Sequence, residues 1–257
     1  MVRKAVLLVS FSLLVGLLGC GEAREAEPFE LPVESSGESL EEFRTDRGYD
    51  VIISSLIIEL DTIEFTVGGE VHGEETARSI LNSFQNALFP MAHAHPGHAA
   101  GGEVAGEVAG PLTLTFRSSE NISLGKGLFL PGFYGGYNLL FSQHGDENTV
   151  LLEGVATKEE EIPFQASLQA PRNGGVYGGA LMAQLAQGDR IILRFLPVDE
   201  WSERTLLDRI TFSDLPRDED GVAQFVNGSS AHSILRETLG SHEFYGSQII
   251  SGSGGGS

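Results

Sequence analysis

Glu161-Ile162-Pro163-Phe164-Gln165-Ala166-Ser167-Leu168-Gln169 carries an apolar side chain at every second position from Ile162 to Leu168. Period two puts Ile162, Phe164, Ala166 and Leu168 on one face of a β-strand and their neighbours on the other. Pro163 has no amide hydrogen for a ladder, which moves this strand toward a sheet edge. Leu112, Leu114 and Phe116 alternate with Thr113, Thr115 and Arg117 in the same way. Ile52, Leu56, Ile58 and Leu60 share one parity and Ile63 and Phe65 the other, so a bulge or tight bend near Asp61-Thr62 is expected to restore a single buried face. Further strands are expected at Gly127–Leu130, Tyr137–Gln143, Thr149–Ala156 and Arg190–Leu196. Turn signals separate them at Pro131-Gly132, Gly145-Asp146, Asn173-Gly174 and Asp220-Gly221. Many short strands with such punctuation predict an all-β fold, an antiparallel β-sandwich.

One or two short helices accompany it. Ala77, Ile80, Leu81, Phe84 and Leu88 follow helical spacing behind Glu74 and Glu75, and Pro90 ends the run. Ala231–Leu239 reads as a helix introduced by Ser229-Ser230 and closed by Gly240. For Tyr177–Ala186 periodicity does not choose between helix and strand.

The chain has 257 residues, with 16 Lys and Arg against 36 Asp and Glu, a formal charge of −20. So acidic a balance lacks the clustered bases that phosphate binding needs, which argues against a nucleic-acid partner. With 15 Phe and 41% apolar residues the chain has enough to build a core. The single cysteine, Cys20, excludes a disulfide framework and a thiolate metal cage.

Arg3 and Lys4 precede an apolar run from Ala5 to Val15, too short for the ~20 residues of a membrane-spanning helix and suited to a secretory signal. It ends in Leu17-Leu18-Gly19-Cys20, which resembles the lipobox of bacterial lipoproteins. The resemblance implies cleavage before Cys20 and acylation of that residue, hence a lipid-anchored protein of the bacterial envelope. Gly21 rather than Asp after the cysteine implies the outer membrane, facing periplasm or exterior. Several acyl chains hold a protein firmly, at about 0.8 kcal/mol per buried CH₂.

The chain then divides into a signal peptide (1–19), an acidic tether (20–48), a β domain (49–250) and a Gly/Ser tail (251–257). The tether is read from nine acids, three bases, Pro28 and Pro32 between Gly21 and Arg47.

Met91-Ala92-His93-Ala94-His95-Pro96-Gly97-His98 holds three of the seven histidines within six positions. Neutral imidazole is a good ligand for Zn and Cu, and small flanking residues let the rings converge. His93, His95 and His98 are therefore candidate ligands, with His72, Glu103 and the Met91 thioether as candidates to complete the shell. The segment is similar to the histidine-rich loops of periplasmic metal-binding proteins and metal-uptake lipoproteins. That resemblance implies metal acquisition, storage or hand-over, with a metal-transport protein as partner. Solvated, loop-capping or pH-sensing histidines are the competing readings. The loop could supply ligands for a catalytic zinc and Glu103 or Glu107 a base, but no H-E-x-x-H fixes two rings on a helix and glycine-rich flanks suit capture better than catalysis, so a non-enzymatic role is expected.

Three other constellations stand out. Phe133, Tyr134 and Tyr137 among glycines offer a glycan-stacking surface, or else a tight corner entering a strand, so a carbohydrate-binding or adhesive module is the alternative function and a purely structural envelope lipoprotein a third. Asp218 and Asp220 before Gly221 resemble part of a calcium loop but lack its full pattern, which favours a polar turn. Ser123-Leu124-Gly125-Lys126 matches S-x-x-K without its partner motifs. Trp201 is expected to anchor a crossing between two sheets.

Overall fold

The computed structural model describes residues 27–38, 40–67, 102–117, 121–142, 149–170, 174–199 and 201–252. In chain order the strands are β1 (Phe29–Ser36), β2 (Phe43–Arg44), β3 (Asp50–Val67), β4 (Glu103–Arg117), β5 (Asn121–Phe129) and β6 (Gly132–Phe141). There follow β7 (Val150–Thr157), β8 (Glu161–Leu168), β9 (Gly175–Leu185), β10 (Arg190–Phe195), β11 (Ala223–Gln224) and β12 (Tyr245–Ile250). A single α-helix, α1 (Ser230–Leu239), lies between the last two among the described residues.

The protein is all-β, as its alternation predicts, but the antiparallel sandwich is replaced by one mixed sheet. All twelve strands join a single hydrogen-bonded network, in which β1 pairs β10 and β8 pairs β11 in parallel. The reason lies in β3, which at 18 residues is too long to belong to one strand pair. One edge pairs first with β7 (Asp50–Ile58) and then with β6 (Leu60–Thr66); the other takes β2 and β4. The sheet therefore curls instead of breaking in two.

The expected irregularity is present: the register of β3 against both β4 and β6 shifts between Leu60 and Thr62, so Ile58, Leu60, Ile63 and Phe65 are all buried. A second shift, between Ile53 and Ser55, has no counterpart in the alternation. It buries Val51 and Ile53 and leaves Ile52 50% exposed, which corrects the buried position expected for Ile52. An extra residue in one strand inverts side-chain parity, and two such residues invert it twice.

The acidic segment 20–48 is also corrected. Its residues Phe29–Ser36 form β1, paired with β5 on one side and β10 on the other, and Leu31 and Val33 are fully buried. Phe29, Leu31 and Val33 alternate with Glu30, Pro32 and Glu34, so two of the acids that suggested a solvated tether, Glu30 and Glu34, occupy the outer face. Tyr177–Ala186 resolves as strand β9, whose register against β6 shifts twice and so hides the period. The Ala231–Leu239 helix is present within one residue; Ser229 Oγ accepts the His232 amide at 3.1 Å and Gly240 closes it. The helix expected over 77–88 lies outside the described residues.

Curling brings β9 to β12, where side chains take over from the ladder. Ser247 Oγ donates to the Ala180 carbonyl at 2.7 Å, and the buried Tyr137 hydroxyl donates to the Gly246 carbonyl at 2.9 Å. Inside, rings fill the curl: Phe65 and Phe129 lie 4.9 Å apart, with Tyr137, Tyr134 and Phe29 around them. A second group, Tyr49, Phe164, Phe212 and Phe225, packs over β8. Such offset or edge-on pairs add about 0.5–1.5 kcal/mol each beyond area burial.

Gly106 and Gly127 lie against the Phe129 ring, and a Cβ at Gly106 would stand 2.5 Å from Phe129 Cδ1. Gly106→Leu is expected to lower stability by about 1–3 kcal/mol, the usual cost of overpacking. Thermal unfolding followed by circular dichroism measures it; an unchanged Tm would show that the ring is not held where it is described.

Candidate functional site

Antiparallel pairing and the direction of β10 collect several connections at one end of the curled sheet. Val67 pairs Glu103, so the connection between β3 and β4 leaves and returns at adjacent positions. Phe29 pairs Phe129 and Gly132 pairs Leu185, which brings the start of β1, the β5–β6 turn and the end of β9 to that end. Arg190 pairs Ile250, so the β9–β10 turn and the end of β12 complete the rim. Asp189 ties the last two together by accepting the Ala186 amide at 2.9 Å and the Gly252 amide at 3.1 Å.

Of the predicted metal ligands, only Glu103 is described. It is the first residue of β4, exposed, at the foot of that connection. His72, Met91, His93, His95 and His98 lie outside the described residues, as does Cys20. Among the described residues no three His, Cys, Asp or Glu side chains converge as a metal shell. Close by, Glu64 and Glu107 sit opposite one another across β3 and β4. Each is held by a neighbour on the same face: Asn138 Nδ2 donates to Glu64 at 3.2 Å and Thr62 Oγ1 to Glu107 at 3.1 Å.

The aromatic trio is divided. Tyr134 and Tyr137 are buried, and the one Tyr134 hydroxyl proton is shared between the Leu130 carbonyl at 2.7 Å and the Ala105 carbonyl at 2.8 Å. Burial pushes the Tyr134 phenol up to about 12 and raises that of Tyr137 further. Neither ring offers a face for glycan stacking, and only Phe133, 42% exposed, remains outside. The two tyrosines have become the core ends of a corner: Tyr137 is opposite Phe65 on β3, and the register shift between Tyr134 and Gly136 brings Tyr134 to the same buried face.

Asp218 is engaged by its own turn. Its Oδ1 accepts the Asp220 amide at 3.0 Å and the Val222 amide at 2.9 Å, and its Oδ2 accepts Gln224 Nε2 at 2.9 Å. These are the bonds of a polar turn. Ser123 and Lys126 do not cooperate either: Lys126 pairs Glu30 at 3.0 Å, while Ser123 Oγ accepts the Gly125 amide at 3.3 Å.

Trp201 corrects another expectation. It is 84% exposed, beyond β10 at the opposite end from Phe29. The loop carrying it is organised by Asp199, which accepts the Trp201 amide at 3.0 Å, the Ser202 amide at 3.2 Å and the Ser202 hydroxyl. Burial alone would raise the Asp199 carboxyl, but the Ser202 hydroxyl, these amides and the Arg204 charge outweigh it and hold it below the usual carboxylate range. No signal in the sequence separates an anchoring tryptophan from a displayed one.

No helix among the described residues is long and apolar enough to cross a membrane. No protein-family model matches the chain, and neither a curated protein nor a solved structure matches it.

One titrating group ties the helix to pH. His232 is buried on α1, and burial, aided by the Arg236 charge, lowers its affinity for a proton. The unfolded chain therefore binds that proton more readily, so the stability linked to a neutral ring is present above pH ~6.5 and falls as pH drops below it. Between pH 7 and pH 5 the Tm of the wild type should decline more steeply than that of His232→Phe. Parallel slopes would remove His232 from the acid response.

Proposed function

We propose that this chain is a lipid-anchored protein of the bacterial outer membrane that binds Zn or Cu through His93, His95 and His98. His72, Glu103 and Met91 complete the shell, and the task is metal acquisition, storage or hand-over to a transport protein. The observation that carries the reading is the pairing of Val67 with Glu103. A segment whose two ends are fixed side by side keeps its donors within a small volume, which raises their effective concentration for one another. Thirty-six carboxylate side chains on the same chain raise the local cation concentration and aid capture without selecting a metal. A carbohydrate-binding role has lost its main support, since Tyr134 and Tyr137 are core residues.

Zinc titration of the untagged chain by calorimetry should give a binding heat that disappears in the His93→Ala, His95→Ala, His98→Ala triple variant. Copper(I) competition then ranks the two metals. An identical zinc isotherm for the triple variant would reject the assignment.

A further inference from the structure

The end of the sheet that gathers the Val67–Glu103 connection also carries most of the exposed large apolar side chains among the described residues. Leu128 and Leu130 at the end of β5, Val104 on β4, Phe133 on β6, Met182 on β9 and Ile250 on β12 all stand on or near this rim. Leu128 is 56% exposed and Leu130 47%. Ile52, Leu151, Trp201 and Val226 lie on other parts of the molecule. Strand pairing explains how residues far apart in the chain reach one rim: Phe129 is opposite both Phe29 and Gly106, Thr66 is opposite both Val104 and Gly136, and Phe133 is opposite Gln184. Soluble monomers seldom leave such a concentration of apolar side chains uncovered without a use for it.

Chain length identifies the cover. The first described residue, Glu27, leads into Phe29 at this rim, and Cys20 is only seven residues before it. Seven residues reach at most about 25 Å even when fully extended. A body of this size is roughly 40 Å across. With Cys20 acylated, the chain is too short to lift the rim far from the bilayer, whereas the Trp201 loop lies at the opposite end.

We infer that this rim is a membrane-docking surface, on which Leu128, Leu130, Val104 and Phe133 rest in the headgroup region of the bilayer that holds the acyl chains. The inference rests on the lipoprotein reading of Cys20. Charge sets the lipid class. Glu27, Glu103 and Glu107 border the rim, and of the nearby acids Glu30 is paired with Lys126. An acidic border is repelled by anionic headgroups, so the surface fits zwitterionic lipid. A bilayer accepts scattered apolar side chains with a polar border because its interfacial layer is itself mixed.

The sole tryptophan makes the test direct. The full acylated chain is reconstituted in phosphatidylcholine vesicles with bromine on the acyl chains, a short-range quencher of indole. Wild-type Trp201 should keep its emission, whereas Phe133→Trp in a Trp201→Phe background should lose most of it. Adding Leu128→Ser and Leu130→Ser to that reporter should restore the emission while the protein still floats with the vesicles. Replacing part of the lipid by phosphatidylglycerol at low salt should weaken the quenching. A floating protein whose position-133 reporter keeps its emission overturns the docking and leaves the anchor intact. If that reporter is also blue-shifted in detergent, residues 68–101 or another protein cover the rim instead. A protein that fails to float and whose mass shows no acyl chains overturns the anchor reading and the docking with it.

Discussion

Strand β3 is shared by more neighbours than any other element, and the curl of the sheet depends on how it is bent. Its first half belongs with β2 and β7 and its second half with β6, while β4 runs beside it from Ser55 to Val67; β7 gives way to β6 between Ile58 and Leu60, immediately before the shift between Leu60 and Thr62. A regular strand of this length would keep one face inward only if the sheet were nearly flat. Each inserted residue raises the local twist and resets parity, so a continuous backbone turns while its apolar side chains stay inside. The aromatic cluster follows the same row: Gly106 on β4 lies opposite Phe65 on one side and Phe129 on the other, and having no side chain it lets the two rings meet over it.

Much of this is legible from residues two apart. The alternations at 112–116 and 162–168 form β4 and β8 with the expected faces, and Pro163 does lie on a strand whose outer neighbour is only the two-residue β11. The bulge at Asp61 is legible because Leu60 and Ile63 differ in parity, and an inserted residue between them is the simplest way to bury both. The one at Ser54 is hidden by Ile52 and Ile53, adjacent isoleucines of which either suits the buried face. The acidic β1 escapes a reading by composition for a different reason. Net charge over a window reports the outer face of a strand as strongly as it reports a solvated coil, and only the alternation of Phe29, Leu31 and Val33 tells the two apart.

Aromatic residues show the same limit at the candidate site. Tyr134, Tyr137 and Trp201 are all large, amphipathic and set among turn residues, yet two are buried and one stands in solvent. What separates them is the supply of acceptors. The Tyr134 hydroxyl reaches the Leu130 and Ala105 carbonyls and the Tyr137 hydroxyl reaches the Gly246 carbonyl, so each can be buried without stranding a polar group. Most of those acceptors arrive from strands far away in sequence, and no local spacing announces them. The histidine segment is legible as chemistry and mute as geometry for the same reason: donor type is written in residues, convergence in tertiary contacts.

The division of labour between body and rim follows from connectivity. The connections between β3 and β4, β5 and β6, and β9 and β10 all fall at one end because β3, β5 and β9 each finish at the end where β4, β6 and β10 begin, and the chain begins β1 at that end too. A segment inserted between Val67 and Glu103 adds little strain to the sheet, since those two residues are already paired and loop-closure cost grows only slowly with length. A packed all-β body thus supports a long, chemically specialised insertion without sharing its composition. The acids that would destabilise a core sit on the outer strand faces, where they are hydrogen-bonded in pairs such as Asn138 with Glu64 and Lys126 with Glu30. In the proposed reading the metal-capturing histidines and the residues packed in the body are different side chains, which leaves the first free to vary while close packing maintains the second.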